Sequence, residues 1–239
     1  MPSISVIVPA YNEEKRLART LKSLRDQTFK DYELIVVDNN SKDRTNEIAK
    51  KFADRVVVEK KKGYTNAVNK GVKLSSFELI TFCDADTLYP NDWLMKMVKH
   101  FDDEVVVAVY GPCKFYDHNS VINFISHISS LLWMNTTKLL GWHSTPGFNF
   151  VMRKKAYLKV GGYDSKIYND ILLDVELGKR LKQVGRLVSD ASVTVLTSSR
   201  RYRGDGLVRT ALYHIDAFIR LGVGKNQKIN YTQYNKVFD

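Results

Sequence analysis

Apolar runs alternate with amphipathic segments through residues 1–110, and this rhythm leaves the chain few folds to choose from. Ile4-Ser5-Val6-Ile7-Val8 reads as a buried strand. Residues 13–26 follow as a helix with Leu17, Leu21 and Leu24 on one face and Asn12 as its cap. Leu34-Ile35-Val36-Val37 is a second strand and runs into Asp38. The stretch Asp38 to Asp43 is turn chemistry and caps a helix carrying Ile48 and Phe52. Val56-Val57-Val58 is a third strand. The basic loop Lys60-Lys61-Lys62-Gly63 leads from it to a helix with Ala67, Val68, Gly71 and Leu74 on one face. Leu79 to Cys83 is a fourth strand and ends in Asp84-Ala85-Asp86. Pro90 opens a helix with Trp93, Leu94, Met97, Val98 and Phe101 on its apolar side, and residues 105–110 are a fifth strand. Such strands, wholly apolar and separated by helices, predict an α/β/α fold with a mostly parallel central sheet covered on both faces. Ligands of such sheets collect outside the carboxyl ends of the strands, and Asp38, Asp84 and Asp86 all stand there.

The rhythm breaks in the second half. Residues 120–140 are an apolar helical stretch with Val121, Ile125, Ile128, Leu132 and Leu139 on one face, expected to pack on the sheet. Phe148 to Met152 reads as a short strand, Lys154 to Val160 as a helix, and Gly161-Gly162-Tyr163-Asp164 as a turn. A helix over about 171–184 carries Leu173, Leu177, Leu181 and Val184, and residues 187–196 are strand-like. Residues 206–221 form a last amphipathic helix before a polar tail, 225–239. No repeat or linker interrupts the chain. One domain over 1–224 is expected, with halves at 1–111 and 112–224.

The formal charge of +11 points to an anionic partner: nucleotide phosphates, a lipid phosphate, an anionic membrane surface or nucleic acid. No nucleic-acid-binding motif accompanies it. Cys83 and Cys113 form no C-x-x-C pair and read as buried thiols of a reducing compartment. No signal peptide and no run of 18 apolar residues is visible, so a cytoplasmic protein is expected, with peripheral contact to the inner face of the membrane as a further expectation.

Asp84-Ala85-Asp86 is the sharpest local feature. Two carboxylates this close repel each other unless a cation offsets them, and Mn²⁺ or Mg²⁺ would do so while also neutralising a diphosphate. A helix-capping role is the plainer alternative. Pro9-Ala10-Tyr11-Asn12-Glu13-Glu14 follows the first strand. A cap and an acidic first turn explain its polar residues, but not an aromatic Tyr11 at the carboxyl edge, where a flat base can stack. Asp38 either caps its loop or accepts hydrogen bonds from a base or ribose. Arg200 and Arg201 lie in a basic loop, Ser199 to Arg203. It is either solvated surface or a grip on a donor diphosphate or lipid phosphate, since guanidinium matches phosphate oxygens bidentately.

In order along the chain come strand-PAYNEE, strand-VVDNNSKD, the segment from Lys62-Gly63 to Asn69-Lys70-Gly71, strand-CDAD, Gly161-Gly162-Tyr163-Asp164 and Asp174-Val175-Glu176-Leu177. That ordered set, over about residues 3–200, resembles the family 2 glycosyltransferases of GT-A fold, which implies a nucleotide-sugar-binding half over 1–111 and an acceptor-side half over 112–224. The resemblance implies that Pro9, Ala10, Tyr11, Glu13 and Asp38 hold the nucleoside and that Lys62 and Gly63 lie near the donor. It further implies that Asp84 and the intervening Ala85 approach the ribose or sugar and that Asp86, with Asp84, binds the metal. The family often carries an acidic pair at the late helix whose second member is the catalytic base. Here the pair reads Leu173-Asp174, so the first acid is missing and Asp174 holds the base position. Glu176 can pair with Arg180 one turn on, whereas Asp174 faces only Gly178 at that spacing. Asp170 is a rival. His143 precedes Ser144-Thr145-Pro146-Gly147, where the family builds its acceptor pocket, and Trp142 beside it either packs against a sugar or is core.

The expected activity is inverting transfer from a UDP- or GDP-sugar to an acceptor hydroxyl or lipid phosphate. A homodimer is a further expectation. A nucleotidyltransferase would share the layering but normally carries a glycine-rich phosphate loop after the first strand, and residues 9–16 contain no glycine. A catalytically inactive nucleotide- or sugar-binding module is the other alternative.

Overall fold

The computed structural model describes residues 1–163 and 173–200. Its strands are β1 (Ile4–Ala10), β2 (Tyr32–Asp38), β3 (Arg55–Val58), β4 (Leu79–Phe82), β5 (Val106–Tyr110), β6 (Cys113–Phe115), β7 (Phe150–Arg153), β8 (Arg186–Ser189) and β9 (Val195–Thr197). Its helices are α1 (Leu17–Arg25), α2 (Thr45–Lys50), α3 (Tyr64–Leu74), α4 (Trp93–Val98), α5 (Ser120–Leu139), α6 (Lys154–Lys159) and α7 (Leu173–Lys182). The main sheet runs β3-β2-β1-β4-β7-β5-β8, and β6 pairs with β9 in a second, two-stranded sheet. Only β7 is antiparallel to its neighbours in the main sheet.

Alternation along each strand divides the core in two, because successive side chains point to opposite faces. Val6, Val8, Leu34 and Val36 join Leu17, Leu21, Leu24, Trp93 and Met97 on the α1 and α4 side. Ile7, Ile35, Val37 and Phe82 join Ala67, Val68, Tyr157 and Leu177 on the α3, α6 and α7 side. The expected α/β/α layering is therefore present. Among the described residues no helix is long and apolar enough to cross a membrane.

Three local expectations differ from what is observed. The first helix begins at Leu17, not at residue 13, and Asn12 does not cap it: Asn12 has φ 53° and its Oδ1 accepts from Lys42 N at 2.8 Å. The strand expected over 187–196 is split into β8 and β9, which belong to different sheets. Asp190 Oδ1 accepts from Ser192 N (2.9 Å) and Ser192 Oγ (2.6 Å), a turn that ends the first strand. The third difference concerns α5. Val121, Ile125, Ile128, Leu132 and Leu139, expected against the sheet, are exposed. The other side docks instead, with Met134 and Thr137 buried and Leu131 packed against the core. Ser130 Oγ accepts from Cys113 N at 3.0 Å and Ser126 Oγ from Phe115 N at 3.2 Å, so helix hydroxyls satisfy edge N–H groups of β6 that would otherwise lack partners. The helix expected over 206–221, the tail 225–239, and the residues Asp164, Asp170, Arg201 and Arg203 lie outside the described residues.

Helix α7 is set by a backbone contact. A Cβ placed on Gly178 would lie 1.7 Å from the His143 carbonyl oxygen and 2.8 Å from that of Trp142, so only glycine admits this approach. Overpacking costs about 1–3 kcal/mol, and the upper end applies where backbone rather than a side chain must yield. Gly178→Ala is therefore expected to lower the melting temperature by roughly 6–12 °C, about 2–4 °C per kcal/mol for a chain of this size. Thermal unfolding followed by circular dichroism checks this, and a variant melting within about 1 °C of the parent rules the contact out as a determinant.

Candidate active site

The parallel register places the ends of β1, β2 and β4 side by side: Ala10 pairs with Asp38, and Ile7 with Phe82. The loops leaving these strands are joined by side chains. Three consecutive amides after β1 donate into the β2–α2 loop: Asn12 N to Ser41 Oγ (3.0 Å), Glu13 N to Thr45 Oγ1 (2.7 Å) and Glu14 N to Asp43 Oδ2 (3.0 Å). Asp38 is buried and closes its own loop, its Oδ1 accepting from Ser41 N at 2.9 Å and its Oδ2 from Asn46 Nδ2 at 3.0 Å. A carboxylate oxygen has more than one lone pair, so the cap and a contact to a ligand are compatible.

Asn39, buried beside Asp38, orders the basic loop. Its Nδ2 donates to the carbonyls of Glu59 and Lys61 (both 2.9 Å), and its Oδ1 accepts from Gly63 N at 2.8 Å. Gly63 has φ 126°, a region that favours glycine. The loop presents Lys62 to Tyr11: Nζ donates to Tyr11 Oη at 3.2 Å and lies 5.2 Å from the ring centroid. Tyr11 is 40% exposed, an aromatic face held at the carboxyl edge by a cation. Sequence reasoning missed Asn39, although a polar residue between Asp38 and a second asparagine in a strand-end loop was a signal.

The Asp84-Ala85-Asp86 turn is fixed from two sides. Thr20 Oγ1 of α1 donates to Ala85 O at 2.9 Å. Thr87 Oγ1 lies 2.9 Å from Thr197 Oγ1, and Leu88 bridges Leu196 of β9. β9 ends three residues before Arg200, so the chain that holds the aspartate turn also delivers the arginine. The guanidinium is bidentate to Glu13, with Nη1 donating to Oε2 at 3.0 Å and Nη2 to Oε1, and its Nε is 2.8 Å from Asp86 Oδ2. Glu13 and Asp86 are 6% and 8% exposed. Burial pushes the Glu13 carboxyl above its usual range, against the opposing pull of Arg200, and Asp86 adds to the rise. Burial alone would lower the Arg200 guanidinium, but the Glu13 hydrogen bond and the charges of Asp86, Glu13 and Asp84 outweigh it, and the net shift is upward.

Asp174 stands in the first turn of α7. Its Oδ1 accepts from Tyr163 Oη at 2.8 Å and its Oδ2 from Gly147 N at 3.0 Å, while its backbone carbonyl accepts from Thr145 Oγ1 at 2.7 Å. Burial, then the charge of Asp174, hold the Tyr163 phenol well above its ordinary value. Tyr64 lies between the two acidic groups. Burial, then the charges of Asp84 and Asp174, raise its phenol well above the ordinary value. Tyr64 and Tyr163 thus belong to the site, though neither stood out as polar chemistry in the sequence. Glu176 pairs with Arg180 as the helical spacing predicts, Nη2 to Oε2 at 2.6 Å.

His143 is 4% exposed, with φ 51°, and its Nδ1 is 3.0 Å from Tyr110 Oη at the end of β5. Burial, then the charges of Lys182 and Lys138, lower its imidazole to about 4. Trp142 is half-buried with Lys179 Nζ 5.0 Å from its ring centroid.

Among the described residues no three His, Cys, Asp or Glu side chains converge into a complete metal cage. The donor set still fits a hard divalent cation that takes one or two carboxylates and completes its shell with substrate phosphates and water. The guanidinium already sitting on Asp86 and Glu13 shows that a cation is electrostatically at home there.

The glycosyl transferase family 2 model matches residues 5–161. A probable glycosyltransferase of Bacillus subtilis, YdaM, is 31% identical over 205 residues, which are 77% of this chain and 48% of the relative. The validoxylamine A glucosyltransferase of Streptomyces hygroscopicus is 26% identical over 221 residues, 77% of this chain and 49% of the relative. The chain therefore spans about half the length of these curated relatives. Among solved structures, a mannosyltransferase from Pyrobaculum calidifontis in complex with GDP-Man and Mn²⁺ superposes with a TM-score of 0.67 at 20% identity, covering 90% of this chain and 64% of that one. The S. aureus protein TarS (residues 1–349) in complex with UDP-GlcNAc gives 0.64 at 19% identity, covering 82% of this chain and 58% of that one. These last two likenesses are of fold.

The lowered imidazole has a consequence for stability. Between about 6.5 and about 4 the unfolded chain binds a proton at His143 that the native state refuses, so this contribution is intact above the window and lost as pH falls through it. His143→Asn, which tolerates the left-handed backbone, is expected to abolish that part of the acid loss. Urea unfolding of both proteins across the window checks it, and an NMR titration should place the imidazole midpoint near 4. A midpoint near 6.5 would refute the assignment.

Proposed function

The chain belongs to glycosyl transferase family 2, and we propose that it transfers a sugar with inversion from a UDP- or GDP-sugar to an acceptor hydroxyl or lipid phosphate, assisted by Mn²⁺ or Mg²⁺. The observation that carries this reading is the meeting of Glu13, Asp84 and Asp86 at the ends of β1 and β4, with Asp174 held opposite them across Tyr64. The fold likeness to structures holding GDP-Man with Mn²⁺ and UDP-GlcNAc supports a nucleotide-sugar donor.

In this reading Pro9, Ala10, Tyr11, Glu13 and Asp38 line the nucleoside pocket. Tyr11 stacks on the base and the carboxylates accept from base or ribose hydroxyls. Lys62 and Gly63 border the donor. Asp84 and Ala85 face the ribose and sugar. Asp86, with Asp84, would hold the divalent cation, which supplies charge stabilisation to the departing diphosphate. Asp174 is the general base. An acceptor oxygen attacks the anomeric carbon as the bond from that carbon to the diphosphate oxygen breaks. The bonding electrons leave with the nucleoside diphosphate, and the acceptor proton passes to the Asp174 carboxylate. Gly147 N and Tyr163 Oη hold the two Asp174 oxygens in place, which fixes the carboxylate's orientation toward an incoming hydroxyl. An acceptor that is already a phosphate anion needs no base.

The outward face of α5 supports contact with an anionic membrane surface, where a lipid-linked acceptor resides. Val121, Phe124, Ile125 and Leu132 are all more than half exposed along one stripe, on a chain of net charge +11.

Asp174→Asn is expected to lower turnover roughly 10²–10⁴-fold while leaving nucleotide affinity within a factor of about two, as for loss of a general base. The assay is donor hydrolysis or transfer with UDP- and GDP-sugars, beside thermal melting against the same panel with and without Mn²⁺. Saturating donor should raise stability by about 2.7 kcal/mol at 100 times its dissociation constant, and Asp86→Ala should remove the metal-dependent part. No shift with any donor sinks the donor site; full activity in Asp174→Asn sinks the base. For α5, Ile125→Asp with Phe124→Asp should abolish co-sedimentation with phosphatidylglycerol vesicles without altering donor-induced stabilisation. Unchanged sedimentation, or a dimer that the substitutions dissociate, would reject the membrane contact.

A further inference from the structure

Arg200 occupies the very groups that the proposed function assigns to donor and cation. Its Nε takes Asp86 Oδ2 and its two terminal nitrogens take both oxygens of Glu13. This position is built rather than incidental. β9 is paired to β6, and Leu196 bridges Leu88 beside the aspartate turn. Ser199 N donates to Asp117 Oδ1 at 3.0 Å, Ser198 Oγ donates to Asp117 Oδ2 at 2.9 Å, and Arg200 N donates to Ser198 Oγ at 3.3 Å. The backbone before the arginine is thus pinned, while its long side chain spans more than one acceptor.

We propose that Arg200 is the resident counter-cation of the donor site, holding Asp86 and Glu13 in the free protein and moving to the phosphates when a nucleoside diphosphate arrives with its divalent cation. The inference rests on the donor-site reading above and adds an exchange to it.

Charge counting explains why an exchange is needed. Glu13, Asp84 and Asp86 bring three carboxylates to one corner; Arg16 Nη1 lies 3.8 Å from Glu13 Oε2, and the Arg200 guanidinium contacts Glu13 and Asp86. A divalent cation entering beside it would share Asp86 with a second positive group at short range, where like charges repel strongly in a low-dielectric site. The free protein should therefore bind metal poorly. A nucleoside diphosphate changes both sides of the balance. Its oxygens complete the cation's shell, and they offer the guanidinium a second bidentate acceptor when the cation takes Asp86. Metal and nucleotide then bind with positive coupling, and linkage requires each to raise the other's affinity by the same factor. Direct metal–phosphate contact also produces coupling, so the coupling alone does not identify the arginine. The distinguishing signature is metal affinity in the absence of nucleotide: removing a competing cation raises it, whereas removing a merely structural residue does not.

The test is Mn²⁺ binding to the full chain, followed by electron paramagnetic resonance of free Mn²⁺, with no nucleotide and then with UDP or GDP. In Arg200→Ala, Mn²⁺ affinity without nucleotide should rise at least about tenfold, and nucleotide affinity in the presence of Mn²⁺ should fall at least about tenfold, the scale of one charged contact. Arg200→Lys, which keeps the charge but lacks the fork, should lie between the two in both measurements and guards against a folding defect in the alanine variant. If nucleotide binds with Mn²⁺ in the parent but Mn²⁺ affinity without nucleotide is the same in parent, Ala and Lys proteins, the exchange is wrong and the donor site stands. If neither UDP nor GDP binds the parent with Mn²⁺, the donor-site reading fails and takes the exchange with it.

Discussion

Buried carboxylates at strand ends need a counter-charge, and the half of the molecule around Glu13 and Asp86 is arranged to supply one. Glu13 and Asp86 are almost wholly removed from water, which for an ion is costly unless it is paired and hydrogen-bonded. They meet because β1 and β4 are adjacent and parallel, so both chains leave the sheet on the same side. The same requirement explains the second, two-stranded sheet. Without β9 pairing to β6 and touching Leu88, nothing would carry Arg200 to that corner. Breaking such a pair by deleting the arginine leaves buried charge uncompensated, which is why charge and loop architecture here are one problem.

Much of the remaining order is backbone satisfaction. The amides of residues 12–14 would be unpaired donors at the end of a buried strand, and Ser41, Thr45 and Asp43 accept from them. Asn39 does the same for the basic loop. Farther in, buried Asn149 donates through Nδ2 to Pro112 O (2.8 Å) and Val193 O (2.7 Å) and accepts from Trp93 Nε1 at 2.9 Å, tying three segments beneath the aspartate turn. Each bond contributes only about 1 kcal/mol net, but leaving any of these groups unmatched would cost about 1–3 kcal/mol. The loops at the carboxyl edge are therefore ordered by hydrogen bonds between side chains and backbone, with apolar packing left to the sheet below.

What was legible in the sequence follows the same division. The strands β1 to β5 and β7, α3, and the two-sided core were readable because alternating and helical spacing record burial directly, as in Ile4 to Val8 and Ala67, Val68 and Gly71, whereas β6 and the split of β8 from β9 were not. The positions of Asp38, Asp84 and Asp86 were readable because strand ends are. Pairings distant in sequence were not. Nothing local connects Arg200 to Glu13, 187 residues away, or Asn12 to Lys42, so Asn12 looked like a cap. The orientation of α5 was misjudged because apolar periodicity names a face without naming its partner. Here Ser126 and Ser130 were needed to finish the edge of β6, and that demand turned the apolar stripe outward.

The departure at Leu173 also has a structural reading. Leu173 is half-buried and packs against the α7-side core, so the place of an acid is taken by an apolar contact that helps seat the first turn of α7. Asp174, next in the chain, points the other way and is fixed by Tyr163, Gly147 and the Thr145 contact to its own carbonyl. Among the described residues its orientation is set by the 145–147 segment and by Tyr163. A Cβ at Gly147 would lie 3.0 Å from Tyr64 Oη and 3.6 Å from Asp174 Oδ1, so the glycine brings the backbone close to both side chains. The acid missing from the sequence pattern is thus replaced in its positioning role by a backbone amide and a phenol. A single, well-oriented carboxylate is sufficient to accept one proton from an incoming hydroxyl.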